Sequence, residues 1–374
     1  MQISSNTTGM QSGLCISTDK EARDHCIVVI KGTFLFDTQG EPRLSELQRP
    51  LVHADEHHGS PGETSIRHEC DFAMFKPRTD VLVHGHAIAP DGRRTERMLV
   101  RLELPDRRKD LLITGDRQWD RGLGGLKPTP PRPFLRMPLV YDRAFGGSDH
   151  SHPSPEYRGT ELRNPVGVGF RKNPHASATA GISLPNIEEP RQPLERWDDK
   201  PAPAGFGTIG RNWQPRSTYA GTYDQHWLDE VHPFLPADFD PRYFQSAPED
   251  QQVAYLRGGE TIRCLGMSET GAWTVKLPYA QNEVTFRLPN RQVRINPRLD
   301  TVLLDTDARE VIMTWRASIP LGKKLTSLRE VHIGPPQPRS PSTTPLEYRR
   351  GKPYFRGLAA LVAWKRQNRW KGLL

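Results

Sequence analysis

At 374 residues, with 35% hydrophobic and 26% charged residues, the chain can bury a sizeable core and falls outside the disordered range. Its net charge of +8 is concentrated: the stretch from Pro336 to Leu374 holds nine Lys or Arg and one acid, Glu347, leaving 43 bases and 43 acids before it. A neutral body with a cationic appendage is not a protein coated with basic surface for nucleic acid, and no apolar run approaches the roughly 20 residues of a membrane-spanning helix.

The chain opens without a basic segment leading into an apolar stretch, so Met1 to Thr18 does not read as a signal peptide. The four cysteines, Cys15, Cys26, Cys70 and Cys264, form no CxxC pair. Neither a zinc ribbon nor a disulfide framework is suggested, and a reducing, cytoplasmic location is expected. Cys26 to Phe36 (CIVVIKGTFLF) is β-branched and aromatic, of strand length. Val81 to Ala89 reads as a similar strand. Met98, Val100, Leu102 and Leu104 alternate with Leu99, Arg101 and Glu103, the period of a half-buried strand. Leu111 to Thr114 follows, and Asp91-Gly92 is expected to turn a hairpin between two of these strands.

The centre differs. Residues 122–242 hold 18 of the 35 prolines and 13 glycines, which rules out long helix or central sheet. The same segment carries 13 aromatics, so an ordered, loop-rich region over a β framework is expected, with exposed aromatics forming a binding face. From Leu256 short strands return: Thr261 to Leu265, Trp273 to Leu277, Val284 to Leu288, Gln292 to Ile295, Thr301 to Leu304 and Glu310 to Trp315. The predicted class is therefore mainly β, with sandwich-like antiparallel sheets built from the N-terminal (1–121) and C-terminal (243–335) parts around the central part (122–242). Residues 334–345 have a linker composition. Beyond them Tyr354 to Lys371 reads as a short basic helix, with Phe355, Leu358, Ala359 and Val362 at helical spacing.

Candidate chemistry is sparse. Gly205 to Gly210 matches GxGxxG, but Pro201 and Pro203 before it and Trp213 and Pro215 after it leave no strand-to-helix setting for a pyrophosphate. His53, Asp55, Glu56, His57 and His58 cluster as a divalent metal site would, and His84 and His86 would share one strand face. A third well-spaced ligand is missing, and a solvated loop is the plainer reading. There is no GxSxG elbow and no HExxH, so no enzyme and no cofactor are expected. The basic tail is open to three readings: a solvated terminus, a segment docking on an acidic partner, or a binder of anionic lipid or nucleic acid, with Trp364 and Trp370 flanking Lys365, Arg366 and Arg369.

Several collinear segments resemble the bacterial domain of unknown function 2169, a family that accompanies type VI secretion systems. They are Val29–Phe34 (VIKGTF), Ala54–Glu56 leading to Gly59–Gly62 (GSPG), Lys76–Val81 (KPRTDV) and Gly85–Ala87 (GHA). In the middle come Met137–Gly147 (MPLVYDRAFGG), Asn164–Phe170 (NPVGVGF), Leu184–Glu188 (LPNIE) and Pro203–Gly207 (PAGFG). Ala220–Asp224, Leu235–Phe244 (LPADFDPRYF) and Tyr255–Glu260 (YLRGGE) close the run. The resemblance covers roughly residues 20–320 and excludes the tail. His57 and His58 stand where aromatics are expected, so a metal role there gains nothing from it.

The resemblance implies a cytoplasmic accessory protein. Such a protein stabilises an effector with a PAAR-type tip domain and helps load it onto the valine–glycine repeat spike protein. It implies no catalytic residues. Exposed-aromatic logic and motif position give Arg143, Phe145, Gly146, Gly147, Trp213 and Trp227 as expected partner contacts, with Trp364 and Trp370 on the tail. A metal-dependent hydrolase using the His53–His58 cluster and a structural component of the secreted spike are the alternatives.

Overall fold

Alternation along the Asp24–Phe36 strand shows how this sequence makes sheet. Cys26, Val28 and Ile30 face one side, Ile27, Val29 and Lys31 the other, and all six are buried. A strand buried on both faces loses its polar alternation, which is why CIVVI reads as one continuous apolar run. The computed structural model describes residues 2–37, 40–122, 125–173, 175–289, 291–322, 328–335, 347–349, 352–355 and 357–368. The chain divides into two compact units, Met1–Gly334 and Pro335–Leu374.

In the first unit Asp24–Phe36 belongs to a seven-stranded sheet. Its order is Gln252–Val253, Thr79–His84, Arg298–Asp305, Glu310–Pro320, Asp24–Phe36 and Gln11–Thr18, with Pro42–Leu44 also paired to Asp24–Phe36. Only Thr79–His84 and Arg298–Asp305 run parallel. A five-stranded antiparallel sheet follows the order Ile187–Glu188, Arg108–Thr114, Arg97–Glu103, Thr261–Leu265 and Ala272–Lys276. A four-stranded sheet orders Ile3–Asn6, Glu330–Ile333, Val284–Arg287 and Gln292–Ile295, the first pair parallel. All three are open rather than closed into barrels.

The fold is mainly β, as expected, and the N- and C-terminal strands do not form separate layers. Glu310–Pro320 pairs with Asp24–Phe36 along its whole length, from Glu310 opposite Leu35 to Pro320 opposite His25. One apolar cluster therefore draws Ile30, Val100, Leu102, Phe286, Val302 and Met313 from both ends of the unit. The predicted alternation at Arg97–Glu103 holds: Val100 and Leu102 are buried while Leu99 is exposed.

Two expectations change. Val81 to Ala89 is not one strand; it breaks at Gly85 into Thr79–His84 and His86–Ile88, which lie in different sheets. Gly85 has φ +138°, and a Cβ there would run into the Thr306 side chain, so the break depends on glycine. His84 and His86 consequently do not share a face. Asp91-Gly92 does turn the chain, within Pro90–Gly92, but it makes no hairpin. The flanking strands pair elsewhere, His86–Ile88 with Arg136–Pro138 and Arg97–Glu103 with Arg108–Thr114.

The central part contains strands of two to four residues and single helical turns. In the second unit Glu347–Arg349 pairs with Lys352–Tyr354, and a helix spans Leu358–Asn368. The helix is shorter than expected, and both Lys371 and most of the predicted linker lie outside the described residues. Among the described residues no helix is long and apolar enough to cross a membrane.

Candidate functional site

The expected contact residues separate into interior and surface. Phe145 is 1% exposed and Trp213 4%, so neither is the exposed anchor it was expected to be. Phe145 packs edge-on to Phe170 at 6.5 Å and Trp213 edge-on to Tyr141 at 5.6 Å. Gly146 and Gly147 are buried too, with φ +154° and +91°, and a Cβ on either would run into the carbonyl of Asn164 or Gly167. Asn164 ties this corner together. Its Nδ2 donates to the carbonyls of Tyr141 at 2.8 Å and Phe145 at 3.0 Å, and its own carbonyl accepts from Gly147 N at 2.8 Å. The physical reason for the correction is that a loop-rich segment has few ladder hydrogen bonds. Buried aromatics and side-chain-to-backbone bonds hold it instead.

The glycines of the GxGxxG match serve the same packing. Gly205 lies against the Tyr141 ring and Gly210 against the Trp213 indole. The Phe206 carbonyl accepts from Val83 N at 3.2 Å and Gln251 Nε2 at 3.0 Å.

Arg143 is different. It lines an open groove of about 600 Å³ together with Asp116, Arg117, Arg132, Asp142 and Asn186. Arg143 Nη1 donates to Asn186 Oδ1 at 3.0 Å and Asp116 Oδ1 at 3.2 Å, the only hydrogen bonds of its side chain among the described residues. Asn186 is buried and fixed by its Nδ2 on the Thr114 carbonyl at 2.9 Å, and its backbone N donates to the Arg143 carbonyl at 2.8 Å. Arg117 forms part of the wall and is held by Glu188 at 2.6 Å. The groove is thus preformed by the Met137–Gly147 and Leu184–Glu188 segments, which meet although they are far apart in sequence. Asp116, Arg117 and Arg132 sit in no recognisable motif and were not legible beforehand.

A second polar assembly covers one face of the seven-stranded sheet. Lys31 Nζ binds Asp71 at 2.8 Å, and Lys76 Nζ binds Asp80 at 2.8 Å with Glu69 at 3.7 Å. Arg316 pairs with Asp300, and Arg216 with Glu69. Burial alone would raise the Glu69 carboxyl; Arg216, Lys76 and Arg211 outweigh it and hold the group at about 2. Asp300 moves the other way: burial raises it, against the pull of Arg316. The cavity at the centre of this layer is only about 40 Å³. Lys31, Lys76, Arg216 and Arg316 each have a carboxylate partner, so these pairs fasten loops to the sheet rather than opening toward a ligand.

At the end of the same face stand three histidines. The ring of His84 is 5.2 Å from that of His68 and 6.1 Å from that of His58. His84 is 9% exposed, and both ring nitrogens lack a hydrogen-bond partner. Burial lowers His84 to about 3 and His68 to about 4, with neighbouring histidines, Arg67 and Lys31 adding to the effect.

The His53–His58 cluster, the alternative metal site, disperses. His53 tilts onto Phe72 at 5.0 Å, Asp55 accepts from Cys70 N at 2.8 Å, and His57 Nδ1 contacts the Thr64 carbonyl at 2.9 Å. Among the described residues no three His, Cys, Asp or Glu side chains form a group that could hold a metal ion. All four cysteines are unpaired thiols.

Trp227 remains at the surface, half-buried within an exposed segment. Trp364 is half-buried on the tail helix and tilts onto Phe355 at 5.4 Å, while Trp370 lies outside the described residues.

No curated protein and no solved structure matches this chain. The pattern of a bacterial family described as "Uncharacterized protein conserved in bacteria" matches residues 21–316, which include Asp24–Phe36, most of Glu310–Pro320, the groove and the ionic face, and leave out Gln11–Thr18. The chain belongs to this family, DUF2169.

Proposed function

We propose that this protein is an adaptor or chaperone of type VI secretion. It binds an effector carrying a PAAR-type tip domain, stabilises it in the cytoplasm and helps load it onto the valine–glycine repeat spike protein. The observation that carries the reading is the open groove of about 600 Å³ beside Arg143, with walls fixed by buried hydrogen bonds. A preformed polar concavity costs little ordering when a partner segment enters it. The guanidinium of Arg143 engages its neighbours through Nη1 alone, leaving the rest of its fork for a partner's carbonyls or carboxylate. The motif run from Val29 to Glu260, which resembles secretion accessory proteins, supports the reading; the matched family is itself described only as uncharacterized.

The test is co-purification of tagged protein from cells that also express the PAAR-domain effector and spike protein encoded nearest to it. A stable complex, weakened by Arg143→Ala, and lower effector levels without this protein are expected. An effector equally abundant and never captured would end the reading. Recovery of this protein with the spike in culture supernatant would instead make it a secreted structural component.

A further inference from the structure

Residues 222–234 stand out from the body: Trp227 and Val231 are half-buried and the rest are exposed. Tyr223 is 52% exposed, Leu228 54% and Phe234 42%. Apolar side chains this exposed and this close together are unusual on a monomer. The segment is not a loose loop. Trp227 N donates to Asp224 Oδ1 at 2.9 Å, and Trp227 Nε1 donates to the Phe234 carbonyl at 2.9 Å. Tyr223 meets Trp227 edge-on at 4.6 Å. At its base Thr222 N and Oγ1 donate to the Asp238 carboxylate at 3.0 and 2.7 Å. The result is a self-bonded knob with an aromatic centre.

Its charge is as distinctive as its exposure. Residues 217–241 contain five acids and no Lys or Arg, in a chain whose net charge is +8. Only Asp240 has a cation on it, Arg242 at 2.7 Å. Asp224, Asp229, Glu230 and Asp238 form no ion pair among the described residues. Nucleic acid and anionic lipid are repelled by such a rim. A purely apolar partner would desolvate the carboxylates without compensation. A cationic protein surface with an apolar pocket satisfies both parts at once.

We infer that the Thr222–Phe234 knob is a docking element that inserts Tyr223, Trp227, Leu228 and Phe234 into an apolar pocket rimmed by Lys or Arg on a partner protein. The acidic rim steers the approach and the aromatics hold the complex. This surface is separate from the Arg143 groove; the partner's identity rests on the adaptor reading.

The experiment measures association and dissociation of purified full-length protein with the nearest-encoded PAAR-domain effector at low and high salt. Trp227→Ala weakens binding by about 30-fold or more, as truncated interface tryptophans do. Trp227 also bonds Phe234, so Leu228→Ala serves as a second truncation that breaks no side-chain hydrogen bond; it weakens binding by roughly tenfold. The double substitution Asp229→Asn, Glu230→Gln slows association by roughly tenfold at low salt and loses that effect at high salt. Leu47→Ala, at another exposed apolar site, changes nothing. Trp227→Ala and Leu228→Ala both binding like the wild type would overturn the knob while leaving the adaptor reading intact. A wild-type protein that never binds the effector removes both. Self-association of the wild type, abolished by Leu228→Ala, would show that the knob's occupant is a second copy and overturn the cationic partner.

Discussion

The two faces of the seven-stranded sheet are made by the same strands and solve burial in opposite ways. On one face Cys26, Val28, Ile30, Val81, Val83, Val302, Leu304, Val311, Met313 and Trp315 join the main apolar cluster. On the other, neighbouring positions on those strands supply Lys31, Asp80, His84, Asp300 and Arg316, beside Ile27, Val29 and an apolar island that includes Leu82, Leu303 and Ile312. The apolar face is stabilised by area removed from water, a non-directional term to which each side chain contributes separately. The ionic face is stabilised only while each charge keeps its partner, since a lone buried charge costs more than a pair gains. One face should therefore tolerate conservative change and the other should fail in steps.

Arg316 tests this most severely. Arg316→Met strands Asp300 and removes the guanidinium that caps the Asp71 carbonyl at 3.0 Å. A loss of about 3–5 kcal/mol in urea unfolding is expected. Adding Asp300→Leu should restore much of it, because the pair leaves together. If the single variant loses under ~1 kcal/mol, or the double loses as much as the single, the contrast between the faces fails.

Acid should separate contributions within the ionic face. His84 and His68 are held at about 3 and 4, below the ordinary 6.5, so the folded state favours their neutral forms. The unfolded chain binds more protons in that interval, so stability is full above about pH 6.5 and falls as pH drops toward 4 and then 3. Glu69, held at about 2 against 4.5, adds a second loss between those values as its charge is neutralised. His84→Leu should remove part of the upper loss, on the order of 2 kcal/mol at pH 4, and leave the lower one. At pH 7 it should be neutral or stabilising, since two unpartnered nitrogens disappear. Urea midpoints measured from pH 7 to 3 that superimpose for the two proteins would refute the assignment.

Ile30→Val, on the apolar face, should cost only about 1 kcal/mol with an unchanged denaturant slope. The smallest effect belongs to the knob. Leu228→Ala removes an exposed side chain, and its stability should stay within about 0.5 kcal/mol of wild type in the same titration. A larger loss would mean that the knob packs against something in the fold.

Legibility in the sequence followed the same division. Strands with one wet face, such as Arg97–Glu103, announced both their existence and their inner side. Asp24–Phe36 announced only its existence, because both of its sides are buried. Arg143 was placed by its motif, and the structure sets it on the groove. Phe145 and Trp213 were misplaced because aromatic density says that a residue packs, not whether its partner is the fold or another protein. The rival histidine cluster shows the same limit: His53, His57 and His58 are neighbours in sequence, yet the rings that gather are His58, from the turn after Glu56–His57, and His68 and His84, from two strands. Spacing could not reveal that, nor the pairing of Lys31 with Asp71 or Arg316 with Asp300.

The sequence by itself determined the mainly β character, most strand positions, the loop-rich centre and the separate basic tail, since periodicity, proline content and charge runs act over a few residues. Tertiary structure alone decided that first and last strands share one sheet and that the ionic residues meet on a single face. It also decided that the glycine-rich motif lines a packed interior and that the aromatic knob stands outside. The reason is that local propensity fixes the conformation of a segment, whereas the burial of a charge or a ring depends on distant segments arriving opposite it.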